Sequence, residues 1–300
     1  MTSWPTLPYA EWRETRDTLH MYTQVLGKLR LALTPFEPQW ANVPLYVTAR
    51  GLGTSPMPVG DRVLEAELDF IDDVVVLRSS DGGLERRGLG GSVADFYGDV
   101  MQALARLGVS ATLSVVPSEV DDAIPFPEDR THHTYDSGQA RRFWHVLSLV
   151  DIVLHEHRAA FRGRTLPVSF FWGTFDLAVV RTGRPVPPRP GAGFIERFGG
   201  NAEQVCAGWW PGDARYPEPA FYAYAYPKPA DLAQASIRPA GAGWNTAIGE
   251  FVMPYSVVQR SADPRSAILE FLRSTYDVGA RLLGWPSDLT QIDAPSAPPP

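Results

Sequence analysis

The chain has 300 residues, 44% of them hydrophobic, enough to bury a sizeable core as one large domain or two smaller ones. A net charge of -7 argues against a nucleic-acid partner, which needs a basic face, and no apolar run of about 18 residues is present to cross a membrane. The single cysteine, Cys206, excludes an internal disulfide and a thiolate metal cage and fits a reducing cytoplasm, and Met1 to His20 lack the basic start and apolar stretch of a secretory signal.

Helical periodicity begins at Glu11 and holds to Leu33. Trp12, Leu19, Tyr22, Leu26, Leu29 and Leu33 fall on one face, and Pro35 ends the run. Val43–Ala49 reads as a strand. Leu64–Phe70 alternates: Leu64, Ala66, Leu68 and Phe70 point one way, and Glu65, Glu67 and Asp69 the other. Val74–Arg78 follows as the next strand, with Asp72-Asp73 and Asp81-Gly82-Gly83 as tight turns. Ser92 caps a helix to Leu107, with Asp95 at the third position after the cap and Gly108 as the stop. Ser110–Val116 reads as a further strand.

Beyond the loop PFPEDRTHHTYD a similar order returns. Ser137 caps a helix from Gln139 to Phe161, which Gly163 ends. Leu166–Trp172, Phe175–Arg181, Phe221–Tyr226 and Glu250–Met253 read as strands. Asp263 and Pro264 open a final helix over Arg265–Leu283. The pattern predicts an α+β fold, with two pseudo-repeated helix–antiparallel-strands–helix units forming one compact body. The halves are placed at 1–118 and 138–286, joined by a loop at 119–137 and followed by a disordered proline-rich tail at 287–300. The junction of two such halves is the default place for a small-ligand site.

The polar residues give several candidates. Arg13, Asp17, His20, Gln24 and Lys28 lie within about one quarter of the first helix's circumference, which periodicity alone reads as a solvated face. His20 is the residue there suited to move a proton near neutral pH. His155 and His157 are two apart on a helix, so they point apart and cannot share one ion. The glycines of GLGGS at 88–92 precede a helix and could cradle an anion. No GxGxxG after a strand, no GxxxxGK[ST] and no GxSxG is present. The richest segment is FFWGTFDLAVVRTGR, Phe170 to Arg184, which joins rings to Asp176, Arg181 and Arg184. Strand alternation puts Asp176 and Arg181 on opposite faces, and the segment fits either an Asp–Arg structural network or a ligand-facing site.

The stretches WPTLPYAEWRETRDTLHMYTQVLGKLRLAL, NVPLYVTARGLGTSPMP, ELDFID, SVADFY, PFPEDRTHHTYD, FFWGTFDLAV, GWWPG with FYAYAYP, and GEFVMPY carry a family resemblance. The chain resembles a bacterial family known only as a domain of unknown function, number five-nine-nine-six in the usual series, from Trp4 to Trp285. The resemblance implies a soluble bacterial protein of one continuous architecture, and it implies no reaction and no catalytic residue. Where that family usually carries histidines, this chain has Gln39, Asp73 and Ser169, which implies an altered member lacking a shared metal or acid/base site. VVRTGR also stands where the family tends toward TRFSGR, whereas TLHMYTQ with Lys28 matches.

These readings together predict a cytoplasmic small-molecule enzyme with an aromatic-walled cleft, in a specialised metabolic pathway. Its chemistry would be metal-independent acid/base work or a shape-directed rearrangement or cyclisation, of isomerase or cyclase type. The alternative is a non-catalytic small-molecule-binding or interaction protein. His20 and Asp176 are the predicted catalytic groups, and Gln24, Lys28, Arg50, Trp172 and Arg181 the substrate-binding ones. No metal and no cofactor are expected. The expected partner is a small organic ligand or substrate, with neither nucleic acid nor membrane.

Overall fold

A computed structural model describes residues 4–290. Among the described residues are six α-helices and two antiparallel sheets, and the chain divides into two units. Unit 1 is Met1–Leu149 with Ser169–Leu177 and Trp210–Pro219. Unit 2 is Val150–Val168 with Ala178–Trp209 and Ala220–Pro300.

Unit 1 opens with helix α1 (Tyr9–Leu33). The sheet strands follow: β1 (Tyr46–Val47), β2 (Gly51–Gly53), β3 (Met57–Val59), β4 (Arg62–Asp69), β5 (Val74–Ser79) and β6 (Leu84–Gly88). They pair in the order β1-β2-β4-β5-β6, with β3 also on β4. On β4, Leu64, Ala66 and Leu68 are buried, while Glu67 on the other face pairs with Arg78 of β5 at 2.9 Å. Helix α2 (Val93–Arg106) starts at a reciprocal cap: Ser92 Oγ accepts from the Asp95 N–H and the Asp95 carboxylate from the Ser92 N–H. That carboxylate also takes Arg130 at 3.2 Å. The helix N-terminus after GLGGS therefore already holds an anion of its own. Gly108, at φ +66, ends the turn in the left-handed region that glycine tolerates.

Helix α3 (Ser137–Ala159) runs from unit 1 into unit 2. Its cap is Asp136, whose carboxylate accepts the Gln139 N–H at 2.8 Å, and not the predicted Ser137. Then come β7 (Arg164–Thr165), β8 (Ser169–Phe171), β9 (Asp176–Pro185), α4 (Phe194–Gly199), β10 (Ala202–Trp210), β11 (Ala220–Tyr226), β12 (Gly243–Asn245), β13 (Glu250–Pro254), α5 (Tyr255–Arg260) and α6 (Pro264–Leu282). The second sheet has the order β12-β13-β11-β10-β9-β7, with β8 on β9. In unit 2, α6 lies close to β10 and β11 at Gly279, where a methyl group would sit 3.2 Å from Val205 and 3.4 Å from Ala225. Asp263 caps α6 by accepting the Ser266 N–H, with Pro264 in the first turn.

Three local expectations are corrected. Val43–Ala49 yields only the two-residue β1, plus a single bridge from Leu45 to Phe170. Ser110–Val116 forms no strand. The chain just beyond it is held by side-chain bonds from α1 rather than by a neighbouring strand. The polar stripe of α1 is solvated only at its start, where Arg13 is exposed: the helix is buried continuously from Thr18 to Arg30. The two sheets differ in strand number and order, so the connections give no support to a duplication. Ser287–Thr290 forms a single 3-10 turn, and the rest of the proline-rich tail, like residues 1–3, lies outside the described residues.

Candidate functional site

In unit 1 the hairpin turn between β8 and β9 meets α1. Phe175 closes that turn with φ +61, a left-handed conformation that is strained for an aromatic residue. Its ring offsets the strain by stacking on Phe143, centroids 5.2 Å apart, and by lying 4.9 Å from the His20 ring. The turn aims two carbonyls at α1. His20 Nε2 lies 3.0 Å from Trp172 O and 3.0 Å from Gly173 O. Carbonyl oxygens only accept, so Nε2 carries the proton. Gln24 then cannot also donate to that nitrogen, although the two lie 3.3 Å apart. Its amide is oriented by Ser118, donating to the Ser118 carbonyl at 2.7 Å and accepting the Ser118 N–H at 2.9 Å.

The electrostatics agree with this assignment. Burial, with a smaller contribution from Arg16, lowers the His20 pKa to about 3. His20 is thus a neutral donor and has no proton to give as an acid near neutral pH. Lys28 donates to Ser118 Oγ at 2.6 Å, and its ammonium is 5.6 Å from the centre of the Trp172 ring. Burial lowers its pKa, and Glu119 partly restores it. Trp172 Nε1 donates to Val43 O at 2.8 Å. Asp176 is buried and accepts from the Thr174 hydroxyl. Arg50 is held by Asp69 and Asp72 at the β4–β5 turn. The unit 1 residues form bonds that tie α1 to the 117–119 loop and to the 172–176 turn.

Arg181 belongs to unit 2, and its surroundings are of another kind. Its side chain is 2% exposed. The guanidinium packs into the corner of two rings that meet edge-on, 4.8 Å from the centre of Phe161 and 4.3 Å from that of Tyr276. One Nη donates to the His157 carbonyl, and Nε is buried without a partner. No carboxylate pairs with Arg181 among the described residues. Burial lowers its pKa to about 10, outweighing Tyr276 and the charge of Asp277, which act to raise it. A cavity of about 310 Å³ opens beside it, lined by His157, Ala160, Arg181, Arg273, Tyr276 and Asp277, with Glu156 and Thr290. Burial, then Arg181 and Arg273, push the His157 pKa well below its usual value, so that ring is neutral. A larger depression of about 530 Å³ near the start of α6 is more open. Its charged groups already serve each other or the helix, through Arg238–Glu270 at 3.5 Å and the Asp263 cap. The smaller cavity is therefore the better candidate.

The model of the family of unknown function DUF5996 matches residues 4–292. The chain belongs to that family. No curated protein and no solved structure matches it.

Of the predicted site residues, the structure brings His20, Gln24, Lys28 and Trp172 into one network, with Asp176 at the turn that faces it. Arg50 is committed to its own ion pairs, and Arg181 belongs to the other unit. Among the described residues, no three of His, Cys, Asp and Glu are placed to hold one metal ion. The residues around Arg181 were not predicted. Phe161 lies in the loop after α3, Arg181 on β9 and Tyr276 on α6, and no spacing in the sequence links them.

Proposed function

We propose that this DUF5996 member binds a small organic anion in the unit 2 cavity beside Arg181. One observation carries the reading: a buried guanidinium packed in the corner of two rings forms no ion pair among the described residues and adjoins a cavity. An unpaired buried cation is expensive to keep, because burial penalises the charged form. Arginine in such a place has a fork of donors matched to a carboxylate or phosphate. The ring nitrogens of His157 and the Tyr276 hydroxyl have no hydrogen-bond partner among the described residues and add neutral polar groups to the wall. With four charged side chains, and mainly Ala160 and the Tyr276 ring as apolar surface, the lining suits a small polar ligand with an anionic group.

The test is thermal denaturation with acetate, benzoate, malonate and inorganic phosphate, each against matched chloride. At least one carboxylate is expected to raise Tm in a concentration-dependent way, as binding to the native state alone requires. Arg181→Met is expected to abolish that rise. It should also leave the ligand-free protein at least as stable as the wild type, because it removes a cation that burial disfavours. A variant that is markedly destabilised without ligand, in a wild type that no anion stabilises, would make Arg181 a structural residue and reject the reading.

A further inference from the structure

We infer that the ligand of this cavity is a zwitterion of the α-amino-acid type, its carboxylate on Arg181 and its ammonium on Asp277. This rests on the anion site proposed above and narrows it to one chemical class. Four charged groups line the cavity, two of each sign: Arg181 and Arg273, Glu156 and Asp277. They are not equivalent. Glu156 is held by Arg265 and also lies 3.8 Å from Arg273, so these groups already compensate one another. Arg181 and Asp277 remain, the first buried at the wall and the second exposed; Asp277 acts on Arg181 through its charge, but neither forms an ion pair among the described residues.

A simple carboxylate would satisfy Arg181 and then meet the repulsion of Asp277. A dianion or phosphate would meet more of it, and a simple amine would face Arg181. Only a ligand carrying both charges satisfies both groups, and its zero net charge matches the balanced wall. An α-amino acid also holds its two charges a few bond lengths apart, the scale of one small cavity. The neutral His157 ring and the Tyr276 hydroxyl are placed along the same wall to receive the remaining polar atoms without altering the charge balance. The Phe161 and Tyr276 rings cover part of the guanidinium, so a carboxylate would reach it from the cavity side.

Two matched series test this by isothermal titration: phenylalanine, 3-phenylpropanoate and phenethylamine; and leucine, 4-methylpentanoate and isoamylamine. In at least one series the amino acid is expected to bind ten-fold or more tightly than the deaminated acid, with no binding of the amine. Asp277→Asn should reverse the order, weakening the amino acid at least ten-fold and strengthening the deaminated acid as repulsion is removed. Asp277 is exposed, so this variant is expected to fold, and circular dichroism checks it. If acid and amino acid bind equally and Asp277→Asn alters neither, the zwitterion is rejected and the anion site stands. If neither the acids nor the amino acids bind, or the amines bind best, the anion site falls with it.

Discussion

Gly27→Ala is expected to destabilise the protein by about 3 kcal/mol, against the usual sign for this change in a helix. In an ordinary helix interior, alanine is favoured over glycine by about 1 kcal/mol. Gly27 lies inside α1, where a methyl group would sit 2.2 Å from both Cε2 and Nε1 of Trp172. No real contact is that short, so the indole must move. It is not free to do so, because Nε1 donates to Val43 O at 2.8 Å and the Trp172 carbonyl takes the His20 proton at 3.0 Å. Moving the ring therefore forfeits a buried hydrogen bond and disturbs the turn that Phe175 closes. Denaturant titration of Gly27→Ala, Trp172→Phe and the double variant gives the coupling directly. The double variant should be less destabilised than the sum of the singles, since the smaller ring makes room for the methyl. A Gly27→Ala protein as stable as the wild type would show that the indole has another place to go.

The sequence reveals what is encoded locally. Helices α1, α2 and α6 each combine an apolar period with a cap or a stop within a few residues, and all three stand where those signals put them. Strand β4 is legible because one face is apolar and the other acidic. Strand β10 was missed for the opposite reason: Ala202 to Trp209 are all buried, so no alternation marks them. The cap of α3 moved by one residue because Asp136 and Ser137 are both competent and only geometry chooses between them.

The polar residues of α1 show a further limit. His20, Gln24 and Lys28 share a face as their spacing implies, yet they are buried, since their partners come from far along the chain. Gln24 and Ser118 are 94 residues apart, and His20 and Trp172 are 152 apart. Periodicity reads a polar stripe as solvated because it cannot see distant carbonyls that replace water. Arg181 is the converse. Strand alternation sets it on the face opposite Asp176 and leaves a structural network or a ligand-facing site open, and the structure places it in unit 2 beside two rings, without an ion pair among the described residues. The lack of a partner, which no sequence pattern announces, is what carries the functional reading.

The stability of the protein is expected to fall as pH drops below about 6.5, and His20 should account for a separable part of that fall. Its folded pKa is lowered from 6.5 to about 3, first by burial and then by Arg16. The unfolded chain therefore takes up a proton near pH 6.5 that the folded chain refuses. Above the unfolded pKa both states are neutral at this site and the His20 contribution is intact. Below it, each pH unit removes about 1.4 kcal/mol until the folded pKa is reached. The neutral Nε2–H donates to Trp172 O and Gly173 O, so protonation would gain no new acceptor there and would bury a charge beside Arg16. Buried carboxylates such as Asp69 and Glu203 also lose stability with acid, so the total slope alone cannot identify the histidine. Glutamine provides the comparison, as an uncharged residue with an amide donor for the same carbonyls. His20→Gln should be less stable than the wild type at pH 7.5, and the gap should shrink by about 1.4 kcal/mol per unit between pH 6 and pH 4. Denaturant titrations of both proteins across that range measure it. A gap that is constant with pH would mean that His20 titrates alike in the folded and unfolded chains, which its two carbonyl acceptors and its burial do not allow.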